Sequence, residues 1–313
     1  MTYKHLFGPI ISRRLGLSLG VDLVPYKVCS LDCVYCEVGS TTKLTIQRDN
    51  YINTEDILSE LKRFLDRQPK IDFITFSGAG EPTLNINIEK IIYEIKRLWP
   101  QYRLALITNS TMFTDEKLCK ALYKCDLILP SLDAVSDEAF KKINRPHSSL
   151  SPQVMIDSLA KFRKQFSNQI WLEIFFLEGI NDTEDELLLL RQACEIIKPD
   201  RIQINALDRP GAVDWVKKLS DQRLLEILEF FKPLPAEIIA RVEYERDMPI
   251  SYIQQEKIIL NALKQQLCTL PELSEMLGLH YNTVLKHIRI LVNNKMVDEV
   301  NQGNTVKYIA NNF

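Results

Sequence analysis

The sequence predicts an α/β fold followed by a smaller domain of a different kind. Between about residue 17 and residue 232, short β-rich runs alternate with longer amphipathic stretches. The β-rich runs are almost continuously apolar, which is typical of strands buried on both faces of a parallel sheet. Six or so strand and helix units therefore predict a parallel sheet whose ligands collect at the loops following the strands.

The strand and helix segments of the larger domain follow one another in regular order. The first strand, LSLGVDLV, precedes a cysteine-rich loop and the helix TEDILSELKRFLDRQ, which opens at Thr54 with acidic residues in its first turn. The later pairs are IDFITFSG with INIEKIIYEIKRLW, YRLALITNS with TDEKLCKALYK, DLILPSLDA with DEAFKKI, IWLEIFFLEG with TEDELLLLRQACEII, and RIQINALD with SDQRLLEILEFF. Periodicity alone does not distinguish an open sheet from a partial barrel.

The segment KPLPAEIIARVEYERDMPI interrupts this alternation with three prolines and many charges, which predicts a connection with room for one extra strand. We assign residues 1–235 to the larger domain, 236–253 to a linker and 254–313 to the smaller domain. The smaller domain reads as three helices, QQEKIILNALKQQ, TLPELSEMLGL and HYNTVLKHIRILVNNKMV, and a hairpin around Gln-Gly-Asn. This order is the outline of a winged helix-turn-helix.

Composition and charge narrow the class of protein. The chain has 313 residues, of which 46% are hydrophobic and 26% are charged, as in globular proteins, and its net charge of -2 excludes a polycation. We find neither an apolar run of membrane-spanning length nor the layout of a signal peptide at the start, so we expect a cytoplasmic protein without membrane contact. Seven cysteines in a reducing compartment favour metal binding over disulfides.

Three of those cysteines lie in one loop, CSLDCVYCEVG, as Cys29, Cys33 and Cys36. Thiolates are the ligands of iron–sulfur clusters, and the CxxxCxxC spacing allows one loop to hold three irons of a cubane. With three ligands instead of four, one iron is left open for a non-protein ligand. A zinc site remains an alternative at this point, with His5 or a distant residue as the fourth ligand.

The cysteine spacing, with Tyr35 directly before the last cysteine, resembles the radical S-adenosylmethionine (SAM) superfamily. The resemblance implies a partial (β/α)6 TIM-like barrel that binds a 4Fe–4S cluster and SAM. It also implies that SAM is chelated at the open iron and cleaved to a 5′-deoxyadenosyl radical. The resemblance further implies an electron donor protein such as a flavodoxin or ferredoxin.

Further segments match the superfamily in the expected order along the chain. FSGAGEPTL resembles its glycine-rich GGE(P) element, and in it Gly78, Gly80 and Glu81 are implied to bind the methionyl end of SAM. LITNS carries Asn109 at the position of a strand-end asparagine near SAM, and PSLDA carries Ser131 at the ribose-contacting position. Strand-end capping is the alternative role for such polar residues.

The remaining SAM contacts are also implied by resemblance. Arg145 resembles the partner of the SAM carboxylate, a task that suits a planar guanidinium, and the loop at Gly179 and Ile180 resembles the one facing the adenine. SRRLGLSLGV resembles a subgroup related to the wybutosine-synthesising tRNA enzyme, although no cysteine precedes Cys29 to hold that enzyme's additional cluster. Arg13 and Arg14 are candidates for contacts with substrate or with the cluster loop, with a surface position as the alternative, and Arg209 is a candidate for binding substrate or for capping the barrel mouth. Asp133 follows Ser131 by two residues, and strand-end capping is its alternative role.

Two functions from different classes follow. The first is an enzyme that cleaves SAM and modifies a macromolecule, RNA or a peptide; the second is an iron–sulfur redox sensor that regulates transcription. From residue 254 to 313 the sequence has six basic and five acidic residues, and Lys286, Arg289 and Lys295 lie in or just after the third helix. The winged helix is therefore a candidate for contact with nucleic acid or protein, or for packing on the barrel as a lid.

Overall fold

The computed structural model describes residues 3–12, 14–207, 213, 215–239, 250–302 and 305–311. The first ten strands are β1 (Leu6–Ser12), β2 (Gly16–Val21), β3 (Val28–Cys29), β4 (Lys43–Leu44), β5 (Phe73–Phe76), β6 (Arg103–Thr108), β7 (Leu127–Pro130), β8 (Gln169–Phe176), β9 (Arg201–Ala206) and β10 (Ala236–Ile238). The first seven helices are α1 (Thr54–Leu65), α2 (Ile88–Leu98), α3 (Glu116–Leu122), α4 (Asp137–Asn144), α5 (Pro152–Arg163), α6 (Glu184–Ile197) and α7 (Asp221–Phe230).

Eight of these strands form one sheet in the order β1-β2-β5-β6-β7-β8-β9-β10. β1 pairs with β2 in antiparallel fashion, and every later pairing in this sheet is parallel. The predicted parallel sheet is therefore confirmed. Because parallel strands run in one direction, the loops that follow β2, β5, β6, β7, β8 and β9 all open at the same edge.

The helices of the larger domain pack on one face of this sheet. In α1 the side chain of Asn53, which precedes the expected Thr54, caps the helix, and Ile57, Leu61 and Leu65 recur four residues apart and are buried. The buried residues of all seven helices join one apolar cluster with alternate strand residues such as Ile74. Helices on a single face are typical of a barrel-like sheet and differ from a doubly wound one.

The opposite face of the sheet forms the interior of the domain. Phe73, Ala105, Leu127 and Leu129 make a separate apolar cluster there. Further toward the carboxyl ends of the strands this face becomes polar, because Thr75 succeeds Phe73 on the same side of β5 and its hydroxyl lies 2.6 Å from that of Ser18. The interior is thus apolar at one end and hydrophilic where the loops open.

Four elements of the larger domain are missing from the sequence-based prediction: β1, the two-residue strands β3 and β4, and α5. β1 contains Gly8 and Pro9, which weaken a strand signal. α5 begins with proline at its first position, which favours a helix start, and buries Met155 and Leu159 on the same face. β10 lies inside the segment predicted as a linker, and because Ala236 pairs with Ile202 the sheet extends past residue 235.

The C-terminal unit, residues 250–311, contains three helices and a hairpin in the predicted order. Its elements are α8 (Ile250–Gln265), α9 (Leu270–Leu277), α10 (Tyr281–Asn293), β11 (Val297–Gln302) and β12 (Thr305–Ala310). Thr269 and Glu272 form a reciprocal capping box at the start of α9, and Gly278 ends it in the left-handed conformation at φ 60°. The unit has its own apolar core. Within the described ranges, no helix has the length and apolarity needed to cross a membrane.

Candidate functional site

The three cysteines of the loop lie at the carboxyl edge of the sheet, and each thiol accepts a hydrogen bond from a different side chain. Asn109 Nδ2 lies 3.4 Å from Cys29 Sγ, and Asn144 Nδ2 lies 3.3 Å from Cys33 Sγ. The third contact joins the Lys27 ammonium to Cys36 Sγ over 3.1 Å. All three cysteine residues are partly exposed and free of disulfides, so the loop presents three sulfur atoms, each with a polar side chain in contact.

The cysteine loop is held by backbone contacts to α4. The N–H groups of Asp32 and Val34 donate to the carbonyl oxygens of Asn144 and Ile143 at 2.9 Å each. The carboxylate of Asp32 in turn accepts from the Thr41 N–H at 2.6 Å, which closes the loop after Cys36. These bonds explain how a segment with little regular structure keeps its cysteines in fixed positions.

The glycine-rich segment after β5 packs directly against the cysteine loop. A Cβ atom at Gly78 would lie 2.0 Å from the Asp22 carboxylate, and one at Gly80 would lie 2.1 Å from the Val28 carbonyl oxygen. Only glycine permits such an approach at these two positions. Asp22 fixes the segment further, because its carboxylate accepts from the Ala79 N–H at 3.0 Å. The predicted element therefore lies beside the three cysteines.

Glu81 is buried beneath this segment and organises it. One carboxylate oxygen accepts from the Thr83 N–H, the Thr83 hydroxyl and the Thr108 hydroxyl, and the other accepts from the Asn109 N–H at 2.8 Å. Burial raises the pKa of Glu81, and these hydrogen bonds partly oppose the rise. Glu81 thus fixes Asn109, whose amide reaches Cys29 and also donates to the Ser30 hydroxyl at 2.9 Å.

Tyr35 connects the cysteine loop to Asp133, which follows β7, and to Phe175 of β8. Its hydroxyl donates to the Asp133 carboxylate at 2.6 Å, and its ring stacks on Phe175 with centroids 4.0 Å apart. Asp133 is itself buried and accepts from Asn144 Nδ2 at 2.7 Å and from the Phe175 N–H at 2.9 Å. Burial raises the pKa of Asp133 to about 6, against the effect of these hydrogen bonds. Tyr35 therefore holds the cysteine loop against the carboxyl ends of β7 and β8.

The other predicted SAM contacts surround the same edge. Ser131 follows β7, pairs with Glu173 of β8 through an isolated bridge and accepts at its carbonyl from the Ser110 hydroxyl at 3.1 Å. Arg145 ends α4 at φ 41°, and its guanidinium lies 3.7 Å from the carboxylate of Asp32 in the cysteine loop. With 40% of its side chain exposed, Arg145 remains accessible to a ligand.

The loop after β8 is more open. Gly179 has φ +69° and open space around the position of a Cβ atom, and its N–H donates to the Asp182 carboxylate at 2.7 Å. Ile180 is half-buried, and its N–H donates to the Leu177 carbonyl oxygen at 3.2 Å. Hydrogen bonds therefore fix the backbone at both residues, and open space lies next to Gly179.

The polar interior contains residues that sequence reasoning missed or placed elsewhere. Arg14, a surface residue in the simplest sequence interpretation, forms an ion pair with Glu173, whose other carboxylate oxygen accepts from Asn205 Nδ2 at 3.0 Å. Arg13 and Arg209 lie outside the described residues. Glu173 is one polar residue within an apolar strand, and that interruption is the signal that marks it.

Sequence reasoning also missed Lys27 and Asn144, although each contacts a cysteine of the loop. The sequence offers no signal for Asn144, because it lies 111 residues from Cys33. The four remaining cysteines are buried, which confirms their predicted role as small apolar residues: Cys119, Cys125, Cys194 and Cys268.

The three thiols fit an iron–sulfur cluster. Burial raises the pKa of Cys29 to about 12 and that of Cys33 well above its usual value. Nitrogen donors aimed at all three sulfurs suit thiolates that carry negative charge. No group of three His, Cys, Asp or Glu side chains within the described ranges is spaced for a single ion. In a cubane each cysteine binds a different iron, so the three thiols do not need to meet at one ion.

The C-terminal unit contacts the loop that carries Cys36. The Tyr281 hydroxyl donates to the Val38 carbonyl oxygen at 3.3 Å, and its ring packs edge-on against Tyr26 with centroids 5.1 Å apart. Arg289 forms an ion pair with Glu37, the residue directly after Cys36. The start of α10 and its basic face are therefore turned toward the larger domain.

His280 adds a contact on the other side of this interface. Its ring stacks on Phe7 of β1 with centroids 4.9 Å apart, and its Nε2 lies 3.2 Å from the Asp22 carboxylate that also holds the glycine-rich segment. The C-terminal unit thus touches the supports of both the cysteine loop and the glycine-rich segment.

A loop of three thiols beside a glycine-rich segment, at the carboxyl edge of a barrel-like parallel sheet, defines an iron–sulfur protein of the kind that uses SAM. Residues 23–190 match the sequence model of the radical SAM superfamily, which is more than half of the chain, and the chain belongs to this superfamily. Radical SAM proteins bind a 4Fe–4S cluster and SAM, and these are the cofactors of the site.

Several known proteins are similar to this chain. A Brachyspira hyodysenteriae protein named GTPase Obg is 33% identical over 98% of this chain, which spans only 45% of that protein. UPF0026 protein MJ1312 of Methanocaldococcus jannaschii is 32% identical over 73% of this chain and 71% of its own length. A radical SAM methyltransferase structure from Sphaerobacter thermophilus shares the fold, with a TM-score of 0.55 at 14% identity over 71% of this chain and 65% of that one.

Proposed function

We propose that this chain is a radical SAM enzyme that cleaves SAM reductively and modifies a macromolecular substrate, RNA or a peptide. The observation that carries the proposal is the placement of three supported thiols against the glycine-rich segment and above a polar interior. When bound, the cluster supplies one electron to the sulfonium of SAM and so generates the reactive species.

The protein side chains have distinct tasks in this proposal. The exposed guanidinium of Arg145 binds the SAM carboxylate, and the backbone at Gly78 and Gly80 admits the methionyl ammonium. Tyr35 and Phe175 hold the cysteine loop and limit the access of water to it. The pair of Arg14 and Glu173 offers both charges to a polar group of the substrate. The electron comes from a low-potential donor protein such as a flavodoxin or ferredoxin.

The proposal is tested with anaerobically reconstituted protein, dithionite and SAM. We expect about four irons and four sulfides per chain, together with 5′-deoxyadenosine that accumulates only when reductant is present. The measurements are iron and sulfide analysis and mass spectrometry of the nucleoside. Zinc in place of iron, or an intact cluster that leaves SAM uncleaved, contradicts the proposal. The second of these results, combined with DNA binding that changes on oxidation, would instead identify a redox-sensing regulator.

For the C-terminal unit we propose a winged helix that braces the loop after Cys36. The support is that Tyr281 and Arg289 contact Val38 and Glu37. Contact with nucleic acid or a protein stays a prediction for its other surfaces. The proposed brace occupies the start of α10, which is the part of a winged helix that reads bases when such a domain binds DNA.

Tyr281→Ala is expected to loosen the loop that follows Cys36. The change removes an aromatic pair and a hydrogen bond, each worth about 1 kcal/mol, so amide exchange over residues 37–45 should accelerate about tenfold or more. Hydrogen–deuterium exchange read by mass spectrometry measures this. Ile258→Ala, at a side chain 49% exposed on α8, is the matched control and should leave the loop unchanged. Equal exchange in both variants would show that the unit does not brace the loop.

A further inference from the structure

Lys27 is a buried lysine whose charge the larger domain does not otherwise balance. The residue is 3% exposed, and its ammonium donates to Cys36 Sγ at 3.1 Å. Among the residues that the structure describes, no carboxylate lies within ion-pair distance of this ammonium. A buried ammonium is costly unless negative charge lies beside it. The nearest groups that become anionic are the three cysteines, as ligands of a metal.

The backbone holds Lys27 in an unusual conformation at this position. Its φ is 55°, which is uncommon for a residue with a side chain. Its N–H donates to the Ala79 carbonyl oxygen at 2.9 Å, and its own carbonyl oxygen accepts from the N–H groups of Thr42 and Lys43 at 3.0 and 3.2 Å. The side chain is thus directed inward from a segment fixed on both sides, between the glycine-rich segment and the end of the cysteine loop.

The three sulfurs also differ in what supports them. Cys29 and Cys33 accept from neutral amides, Asn109 and Asn144, whereas Cys36 accepts from a cation. Hydrogen bonds and positive charge near the sulfurs are among the means by which proteins set cluster potentials.

We infer that Lys27 supplies a fixed positive charge that stabilises the three-thiolate site and favours its one-electron reduction. This inference rests on the proposed function. In the reduction, one electron enters from a low-potential one-electron donor, no bond forms or breaks, and the net negative charge of the site rises by one. A cation in contact with one of the thiolates lowers the free energy of the more negative state relative to the less negative one. Lys27 is therefore a positioning and tuning residue, distinct from the groups that bind SAM.

The test is a redox titration of the reconstituted protein in the absence of SAM. The absorbance and EPR signals of the cluster report the fraction that is reduced at each potential. Lys27→Met keeps an unbranched side chain one atom shorter but removes the charge and the donor. We expect the ratio of reduced to oxidised cluster at a fixed potential to fall at least about tenfold, a midpoint shift of about 59 mV to lower potential. Lys27→Arg should stay close to wild type, as should Lys43→Met, at an exposed lysine of β4 whose N–H donates to the Lys27 carbonyl oxygen.

Each outcome decides the inference. An unchanged midpoint in a fully loaded Lys27→Met protein overturns it. Failure of Lys27→Met to retain iron, with retention by Lys27→Arg, supports it, because the thiolate site then requires the charge. Loss of iron in both variants overturns it, because the exact side chain rather than its charge is then required. A wild-type protein that assembles no cluster overturns the proposed function and this inference together, whereas a normal cluster with an unshifted Lys27→Met midpoint overturns this inference alone.

Discussion

Replacement of Cys33 by alanine is expected to abolish both cluster retention and SAM cleavage while the C-terminal unit stays folded. The proposed cluster has three thiol ligands from one loop, and the loss of one leaves two ligands for a cubane that already has one open iron. The substitution deletes only one sulfur atom and leaves Asn144 hydrogen-bonded to Asp133. The effect on activity should therefore far exceed the effect on stability. Iron and sulfide content, 5′-deoxyadenosine yield and circular dichroism measure the three quantities.

Cys125→Ala is the matched control for this experiment. Cys125 is fully buried in the apolar core between α3 and β7, and its thiol is not among the cluster ligands. Its replacement should cost about 1–2 kcal/mol of stability through the lost packing and leave the cluster in place. Turnover that persists in Cys33→Ala would refute the ligand assignment, as would a cluster lost equally from both variants.

Much of the site was predictable because its motifs are local in the sequence. Cys29, Cys33 and Cys36 share one loop, and the parallel sheet brings the ends of successive strands to one edge, so Glu81 and Asn109 were placed beside the cysteines from their order along the chain. The relation between a strand end and its loop is set by topology rather than by detailed packing. For this reason the order of motifs along the chain predicted which residues lie together, although periodicity alone did not distinguish a barrel from an open sheet.

The residues that were missed depend on contacts distant in sequence. Asp133 reaches Tyr35 across 98 residues, and nothing in the local pattern of either segment indicates that pairing. Lys27 reads as a solvated lysine in sequence, and only its backbone at positive φ and its burial reveal the inward direction. The docking of α10 on the larger domain also depends on tertiary structure. A basic residue such as Arg289 predicts an acidic partner, but the sequence does not identify Glu37 as that partner.

Glu81→Ala is expected to destabilise the larger domain by about 4 kcal/mol, the largest effect on stability among the site residues. The carboxylate satisfies two backbone donors, the N–H groups of Thr83 and Asn109, and two hydroxyls. The hydroxyls can turn to other acceptors, but each buried N–H left without a partner costs about 1–3 kcal/mol. Denaturant unfolding of the metal-free protein measures the loss through the tryptophans, all of which lie in this domain: Trp99, Trp171 and Trp215.

Two further variants separate the role of the hydrogen bonds from that of charge. Glu81→Gln keeps one carbonyl acceptor in the same volume and should recover part of the loss, whereas Glu116→Ala removes an exposed carboxylate paired only with Lys161 and should cost less than about 1 kcal/mol. Because Glu81 fixes the N–H of Asn109, whose amide reaches Cys29, the alanine variant should also retain less iron. Equal stability of Glu81→Ala and Glu116→Ala would show that the segment does not depend on this carboxylate. The glycine-rich segment would then be positioned by Asp22 and the close glycine contacts alone.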